Sequence, residues 1–379
     1  GWAFTAALSL SGVTATAGQY GINLRDNPRR NANNIGFVPT GTSMFLVGAA
    51  QGEYTPVRVD DNILQPPMGT PAAASSAPAA NNRGSASAPA AATITPAIAP
   101  IETPILGQAK IGLHASATPA ISAAEIAEFK TLRPGMIKLL SFHDPDAIRQ
   151  LVQNHPNVKW VVRAFLSFGN RNISPDQFVN DTIGDTKRTL NILQGQDVVI
   201  ELHNEPNLTT EGLGSTWANG TEFNNWWLQV LNKYKAQLPN HRYIFPGLSP
   251  GPDQGGLRQA DRPFLEACRP SINASDGLGM HSYWSNPHFP MLSHPDSGVP
   301  LVDDYVRRFP NKGIWITEAS NNLGSDWNKK ASEYFQFWNE MQKRPTVQGI
   351  TYFVASAAPG TFEHETWVGH GIAAKLGAR

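Results

Sequence analysis

The chain has 379 residues, of which 41% are apolar and only 16% charged, and its 30 basic residues balance its 30 acidic ones. A formal net charge of zero argues against nucleic acid or an anionic membrane surface as the main partner, because proteins that bind either one carry an excess of basic residues. It argues less firmly against a strongly charged polysaccharide as the substrate. No apolar run reaches the ~18 to 20 residues that a membrane span requires. The single cysteine, Cys268, excludes an intrachain disulfide.

Residues 1–64 predict a small all-β barrel. They are rich in Gly, Thr, Val and Asn, and turn residues separate the short apolar runs. The candidate strands are Gly21–Arg25, Ser43–Gly48 and Tyr54–Val59.

Two phrases in this zone, GINLRDNP (21–28) and IGFVPTGT (35–42), resemble the hallmark of bacterial Src-homology-3-like modules. That family usually ends in a Gly-Trp-Val-type strand, which is missing after residue 59. A segment of that kind, GWAFTAALSL, stands instead at 1–10. It is either the tail of a preceding repeat or a strand that completes the module from its N-terminal side. The resemblance implies attachment to a cell wall or surface, and hence a secreted or cell-surface protein.

Residues 65–105 predict a linker. Pro, Ala and Ser dominate, as in PAAASSAPAANNRGSASAPA. The segment lacks the large apolar side chains whose burial could offset the entropy of ordering it. We expect an extended chain with polyproline stretches between two domains.

Residues 106–379 predict an α/β domain, a (β/α)8 TIM barrel. Eight apolar β-type runs alternate with stretches of helical character, which implies parallel pairing, and eight such units close into a barrel. A doubly wound sheet would normally carry a Gly-rich turn after its first strand, and the turn here is ASATPAIS. The eight runs are 110–114, 136–142, 158–168, 197–204, 242–248, 277–284, 313–320 and 349–356.

Two carboxylates stand at predicted strand ends, where barrels of this type place their catalytic groups. The fourth run ends in ELHNEPN, with Glu205, and the seventh in WITEAS, with Glu318. Glycoside hydrolysis needs one protonated carboxyl and one ionised carboxylate on either side of the anomeric carbon. The alternative is that Asn-Glu-Pro is a surface turn and Thr-Glu-Ala-Ser a helix start, with no special role for either glutamate. A retaining mechanism predicts a separation of ~5 to 5.5 Å between the two carboxyl groups.

These phrases resemble the clan of retaining β/α-barrel glycoside hydrolases, which has an Asn-Glu pair ending strand four and a nucleophilic Glu ending strand seven. The resemblance implies that Glu205 is the general acid/base and Glu318 the nucleophile. It also implies that Asn204 hydrogen-bonds the sugar hydroxyl next to the anomeric carbon. Strict alternation would point Asn204 and Glu205 to opposite faces, so both reach the sugar only if the strand end bulges.

Further polar side chains fall at strand positions that face the barrel interior. His281 and Tyr283 are two residues apart, so they share a face, and the clan resemblance implies a Tyr hydroxyl bound to the nucleophile; a polar layer without a catalytic part is the alternative. Arg163 and Glu201 predict a buried ion pair, serving either structural support or substrate contact. His114 is equally a subsite residue or a satisfied core histidine.

Tryptophans after predicted strands are candidates for stacking on sugar rings, and Trp284 is the one that we favour over Trp217, Trp327 and Trp367. Trp226, Trp227 and Trp338 fall in helical stretches and predict core positions. No His or Cys spacing matches a metal motif, so we expect neither metal nor cofactor.

The sequence therefore predicts a retaining glycoside hydrolase that acts on β-linked carbohydrate by double displacement. The alternative is a non-catalytic carbohydrate-binding or structural surface protein built on a glycosidase-like barrel.

Overall fold

The computed structural model describes residues 109–323 and 326–378, together with seven short strands between residues 2 and 58. The chain divides into two compact units, residues 1–101 and 102–379, and each is described by itself. The predicted linker, residues 65–105, lies outside the described residues.

The strands of the first unit pair antiparallel in the order β2-β3-β6-β7-β1-β4-β5. The three strands predicted from sequence correspond to β4, β6 and β7. Strand β1, in the segment for which two alternatives were open, pairs with β7 and β4. The strands are β1 (Trp2–Phe4), β2 (Leu8–Ser11), β3 (Thr14–Ala17), β4 (Ile22–Arg25), β5 (Asn34–Val38), β6 (Ser43–Leu46) and β7 (Tyr54–Arg58).

The second unit is a closed barrel of eight parallel strands, and this confirms the predicted architecture. Each of the eight apolar runs overlaps one strand, and the last strand pairs with the first to close the cylinder. The strands are β8 (Lys110–His114), β9 (Met136–Leu140), β10 (Lys159–Ala164), β11 (Asp197–Leu202), β12 (Arg242–Phe245), β13 (Gly277–Trp284), β14 (Ile314–Asn321) and β15 (Val347–Tyr352).

Helices connect the strands, and local sequence sets where several of them begin. Ser122 and Glu125 form a reciprocal capping box, and Pro stands in the first turn of α2 and α3 behind Asp144 and Ser174 caps. No helix among these described residues is long and apolar enough to cross a membrane. The helices are α1 (Ala123–Leu132), α2 (Pro145–Asn154), α3 (Pro175–Ile192), α4 (Gly220–Gln237), α5 (Asp261–Ala267), α6 (Arg269–Ala274), α7 (Gly298–Arg308), α8 (Trp327–Met341) and α9 (Ile372–Gly377).

The barrel interior changes from apolar to charged along the strands. A buried cluster of Met136, Val161, Val199, Ile244 and Trp315 fills one level. Because side chains on a strand alternate, the residue two positions further on points the same way. On β9, β10 and β11 that residue is a lysine, an arginine and a glutamate. The charged level therefore lies nearer the carboxyl ends of the strands, where barrel enzymes place their active sites.

Candidate active site

Four charged side chains balance one another in this level. Glu201 Oε2 accepts from Arg163 Nε at 2.9 Å and pairs with Lys138 Nζ at 2.9 Å, while Glu201 Oε1 accepts from Thr317 Oγ1 at 2.7 Å. Burial alone would raise the pKa of Glu201, but Arg163 and Lys138 lower it well below its usual range. The predicted Arg163–Glu201 pair is present. Glu318 is the fourth member, so the cluster contains two cations and two anions.

Glu318 extends from β14 into this cluster with a side chain only 6% exposed. Its Oε1 accepts from Arg163 Nη2 at 2.6 Å and from Lys138 Nζ at 3.3 Å, and its Oε2 accepts from the Tyr283 hydroxyl at 2.5 Å. Burial would raise the pKa of this carboxyl, but His281, Arg163 and Lys138 hold it well below the ordinary value. Glu318 is therefore an ionised carboxylate at neutral pH.

The end of β11 is distorted, as the sequence required for Asn204 and Glu205 to serve one site. His203 and Glu205 both have positive φ, at 83° and 34°, on either side of Asn204. Such values are uncommon for residues other than glycine and mark a locally constrained backbone. Strand alternation stops here, and the Glu205 N–H donates to the Gly247 carbonyl oxygen across to the neighbouring strand end at 3.0 Å.

His281 links the two glutamates. Its Nδ1 lies 2.8 Å from Glu205 Oε1 and 3.5 Å from Glu318 Oε2, and its Nε2 lies 3.2 Å from Arg163 Nη2. An arginine can only donate, so Nε2 accepts and the ring proton sits on Nδ1, directed at Glu205. One donor atom from each of Glu205, His281 and Glu318 lies within 4.8 Å of the others. The two carboxyl groups therefore face each other across a narrow gap.

His281 fits only because residue 247 has no side chain. A Cβ added at Gly247 would lie 2.2 Å from His281 Cδ2 and 2.5 Å from Nε2. Separations below 3.0 Å between such atoms require something to move. Gly247 therefore contacts both residues: its Cα packs against the His281 ring, and its carbonyl oxygen accepts the Glu205 N–H.

His114 is buried, with an exposed fraction of 1%, and its Nδ1 donates to the Ala115 carbonyl oxygen at 2.8 Å. Its ring meets the ring of Phe353 edge-on, with centroids 5.4 Å apart. Burial lowers the pKa of His114 well below its ordinary value, and the charges of Lys138 and Arg163 lower it further. Of the two alternatives for this residue, the satisfied core histidine agrees with these contacts.

Trp284 does not lie in the cleft, which corrects our preferred stacking candidate. Its indole is 1% exposed, packs against Tyr334 and Phe337 of α8, and donates from Nε1 to Glu333 Oε2 at 2.9 Å. Since His281 and Tyr283 point inward, residue 284 must point outward. Trp217 and Trp367 are also buried, whereas Trp327 stacks on His370 with centroids 3.7 Å apart. Trp226 and Trp227 are buried in α4 as predicted, and Trp338 is partly buried against the core.

No protein-family profile matches this sequence, and neither does any curated protein. Solved structures with a similar fold include a GH128 (subgroup II) endo-β-1,3-glucanase from Pseudomonas viridiflava, 16% identical, with a TM-score of 0.46 over 71% of this chain and 97% of that one. An endo-1,4-β-D-mannanase from Thermotoga petrophila RKU-1 is 12% identical, with a TM-score of 0.43 over 65% and 88%. Similarity at this level says nothing about substrate. The function of this chain must come from its own side chains.

Glu205, His281 and Glu318 could in principle chelate a cation, since their donor atoms are close together. The hydrogen bonds point to proton chemistry instead. His281 Nδ1 carries the ring proton and so offers no lone pair, and the cations Arg163 and Lys138 already occupy the Glu318 carboxylate.

Three residues near the pair were not predicted from sequence. Lys138 is wholly buried beside both Glu201 and Glu318. Burial raises the pKa of Glu211 to about 8, and it also raises that of Glu365 to about 8. A lysine inside an apolar strand was a signal available for Lys138. Neither loop glutamate had one.

Proposed function

We propose that the barrel is a retaining glycoside hydrolase that cleaves β-glycosidic bonds. The observation that carries the proposal is the approach of Glu205 and Glu318, whose nearest carboxylate oxygens lie within 4.8 Å. Retaining enzymes hold their two carboxyl groups ~5 to 5.5 Å apart, whereas inverting enzymes need ~6.5 to 9.5 Å to admit a water molecule. An approach of the carboxylate oxygens to within 4.8 Å supports the shorter, retaining separation and direct attack on the anomeric carbon.

The environments of the two glutamates assign their roles. Arg163, Lys138 and the Tyr283 hydroxyl all bind Glu318, so this carboxylate stays ionised and aligned as a nucleophile requires. Glu205 is more accessible, with a side chain 16% exposed, and its described side-chain partner is His281 Nδ1 at 2.8 Å. A group that exchanges protons with leaving group and water needs that access, which supports Glu205 as acid/base.

The reaction follows in two displacements. Glu205 gives its proton to the glycosidic oxygen as the C–O bond breaks, while Glu318 forms a bond to the anomeric carbon from the opposite face. The leaving group departs as an alcohol and the sugar remains esterified to Glu318. Glu205, now a carboxylate, takes a proton from water, whose oxygen displaces Glu318 and restores the starting configuration.

Aromatic rings beside the pair support a carbohydrate substrate. Phe353 lies edge-on to Tyr283, with centroids 6.4 Å apart, and to Phe362, with centroids 4.9 Å apart. Phe362 is 39% exposed and has a positive φ of 52°, which is unusual for a bulky residue. An exposed ring held in a strained conformation is suited to packing on the C–H face of a sugar.

The test is covalent trapping. Incubation with 2-deoxy-2-fluoro glycosides bearing an activated leaving group, in a panel of gluco, manno, xylo and galacto configurations, should add one glycosyl unit to the peptide containing Glu318. The Glu318→Gln variant is the matched control and should remain unlabelled. Labelling of Glu205, or turnover with inverted anomeric configuration, would refute the assignment. A screen of β-glucans, mannans, xylans and peptidoglycan then identifies the substrate.

We also propose that residues 1–64 form a Src-homology-3-like module that attaches the enzyme to a cell wall or surface, so that the protein acts outside the cell. The phrases at 21–28 and 35–42 support this, and the pairing of β1 with β7 supports completion of the module by residues 1–10. Sedimentation of the full chain with purified cell walls, compared with the chain lacking residues 1–64, tests the proposal. Equal sedimentation of both would contradict it.

A further inference from the structure

Two buried polar atoms beside the acid/base lack a partner. Glu211 Oε2 and Asn204 Oδ1 are buried and make no hydrogen bond among the described residues. They belong to two groups that already touch, because Asn204 Nδ2 donates to Glu211 Oε1 at 3.1 Å. A buried polar atom left unpaired costs about 1 to 3 kcal/mol. Two of them next to one hydrogen bond call for a common explanation.

A single proton would satisfy both atoms. The amide of Asn204 can present one N–H and one carbonyl oxygen to the carboxyl, whichever way the amide is placed. An ionised Glu211 offers two acceptors and no donor, so the carbonyl oxygen of the amide finds no hydrogen to accept. A protonated Glu211 offers one acceptor and one O–H, which complement the one N–H and one carbonyl oxygen of the amide.

We propose that Glu211 works as a protonated positioning residue, whose neutral carboxyl holds Asn204 in place directly before the acid/base Glu205. This rests on the proposed function of Glu205. The loop that carries Glu211 is fixed to the same strand end a second time, since His203 Nε2 donates to the Glu211 carbonyl oxygen at 2.8 Å. Glu211 is thus bound to both residues that precede Glu205.

The charges around Glu211 agree with a neutral carboxyl. Glu205 and Glu318 both disfavour a further negative charge, and Arg163, whose guanidinium is committed to Glu201 and Glu318, opposes them. Burial, the largest effect, and these two carboxylates raise the pKa of Glu211 to about 8, although its bond from Asn204 acts in the opposite direction. Loss of the proton above that pH would set a carboxylate against the Asn204 oxygen and release the amide.

The kinetic test compares two substitutions of Glu211. Glu211→Gln restores one donor and one acceptor without a titrating proton, whereas Glu211→Met keeps the volume and removes both. We expect kcat to fall by about 10²-fold in Glu211→Met, the size of effect that misplacing a reacting group produces. Glu211→Gln should recover most of that loss and move the alkaline limb of kcat away from pH 8, because loss of the Glu211 proton no longer contributes to it. Glu365→Gln, the matched control, should keep the alkaline limb. Equal losses in both Glu211 variants, or an unchanged alkaline limb in Glu211→Gln, would overturn the proposal.

A stability measurement keeps this test separate from the proposed function. The pKa of Glu211 is higher in the folded chain than the ~4.3 of an unfolded glutamate. At this group the folded chain therefore binds more protons between these pH values, and the contribution of Glu211 to stability falls as pH rises from about 4 to 8. We expect the difference in Tm, Glu211→Gln minus wild type, to increase as pH rises from about 4 to 8. A constant difference would overturn the protonated state, even if no substrate is found.

Discussion

Replacing Lys138 by Met would test whether the charge balance of the barrel interior holds the nucleophile. The ammonium is fully buried and contacts Glu201 Oε2 at 2.9 Å, Glu318 Oε1 at 3.3 Å and the Thr317 carbonyl oxygen at 3.1 Å. Its removal leaves Arg163 alone against two buried carboxylates. Removing one partner of a buried ion pair costs about 3 to 5 kcal/mol of unfolding free energy. At roughly 2 to 4 °C per kcal/mol, the Tm should fall by roughly 6 to 20 °C.

Tryptophan fluorescence during thermal unfolding reports this change, because all tryptophans except Trp2 lie in the barrel sequence. Lys110→Met is the matched control, since Lys110 is the exposed first residue of β8, and its effect should stay within about 0.5 kcal/mol. The double variant Lys138→Met/Glu201→Gln removes one charge of each sign. It should be more stable than the sum of the two single effects, because the remaining Arg163 and Glu318 balance.

The single variant Lys138→Met should also change the pH dependence of catalysis. Lys138 is one of the groups that lower the pKa of Glu318, so its loss raises that pKa and moves the acid limb of kcat/KM to higher pH. A Lys138→Met protein as stable as the Lys110→Met control, with an unchanged acid limb, would refute the reasoning. If the effects of the two substitutions on unfolding free energy were additive in the double variant, only the argument from charge balance would be refuted.

Three further substitutions test single contacts. Glu205→Gln should lose roughly 10² to 10⁴ in rate on an unactivated glycoside and much less on an activated aryl glycoside; equal losses would contradict the acid role. Tyr283→Phe removes a hydrogen bond to an ionised group, worth about 1.5 to 3 kcal/mol, and should move the acid limb of kcat/KM upward by about one to two pH units; a fixed limb would contradict the contact. Gly247→Ala should displace His281 and lower kcat by about 10²-fold, whereas Gly184→Ala, where an added Cβ meets nothing, should not.

The barrel could be predicted because its strands are buried on both faces. Such strands appear as continuous apolar runs, and helical stretches between them enforce parallel pairing. The boundaries were less accurate where apolar residues continue beyond the end of the strand. The third run was predicted over 158–168, but β10 ends at Ala164, since backbone pairing stops before the apolar composition does.

The predicted ion pair of Arg163 and Glu201 is part of a larger charged cluster, and the prediction left out Lys138 and Glu318. A buried lysine is rare unless it is paired, so Lys138 within the apolar run MIKLLSF required an anion as much as Arg163 did. Glu211 and Glu365 could not be found this way. Their burial depends on how long loops fold back over the strand ends, and no periodicity in sequence records that.

Strand alternation explains one correct and one incorrect interpretation of strand ends. On β13 the pairing with β14 is regular from His281 to Trp284, so an inward Tyr283 already excludes an inward Trp284. On β11 the left-handed residues His203 and Glu205 interrupt the alternation, and adjacent Asn204 and Glu205 can serve one site. A residue next to an inward-facing one therefore reaches a barrel cleft only where the backbone leaves the strand conformation. That criterion favours strand ends followed by turn residues, such as the Asn-Glu-Pro-Asn after β11, over runs of aromatic residues.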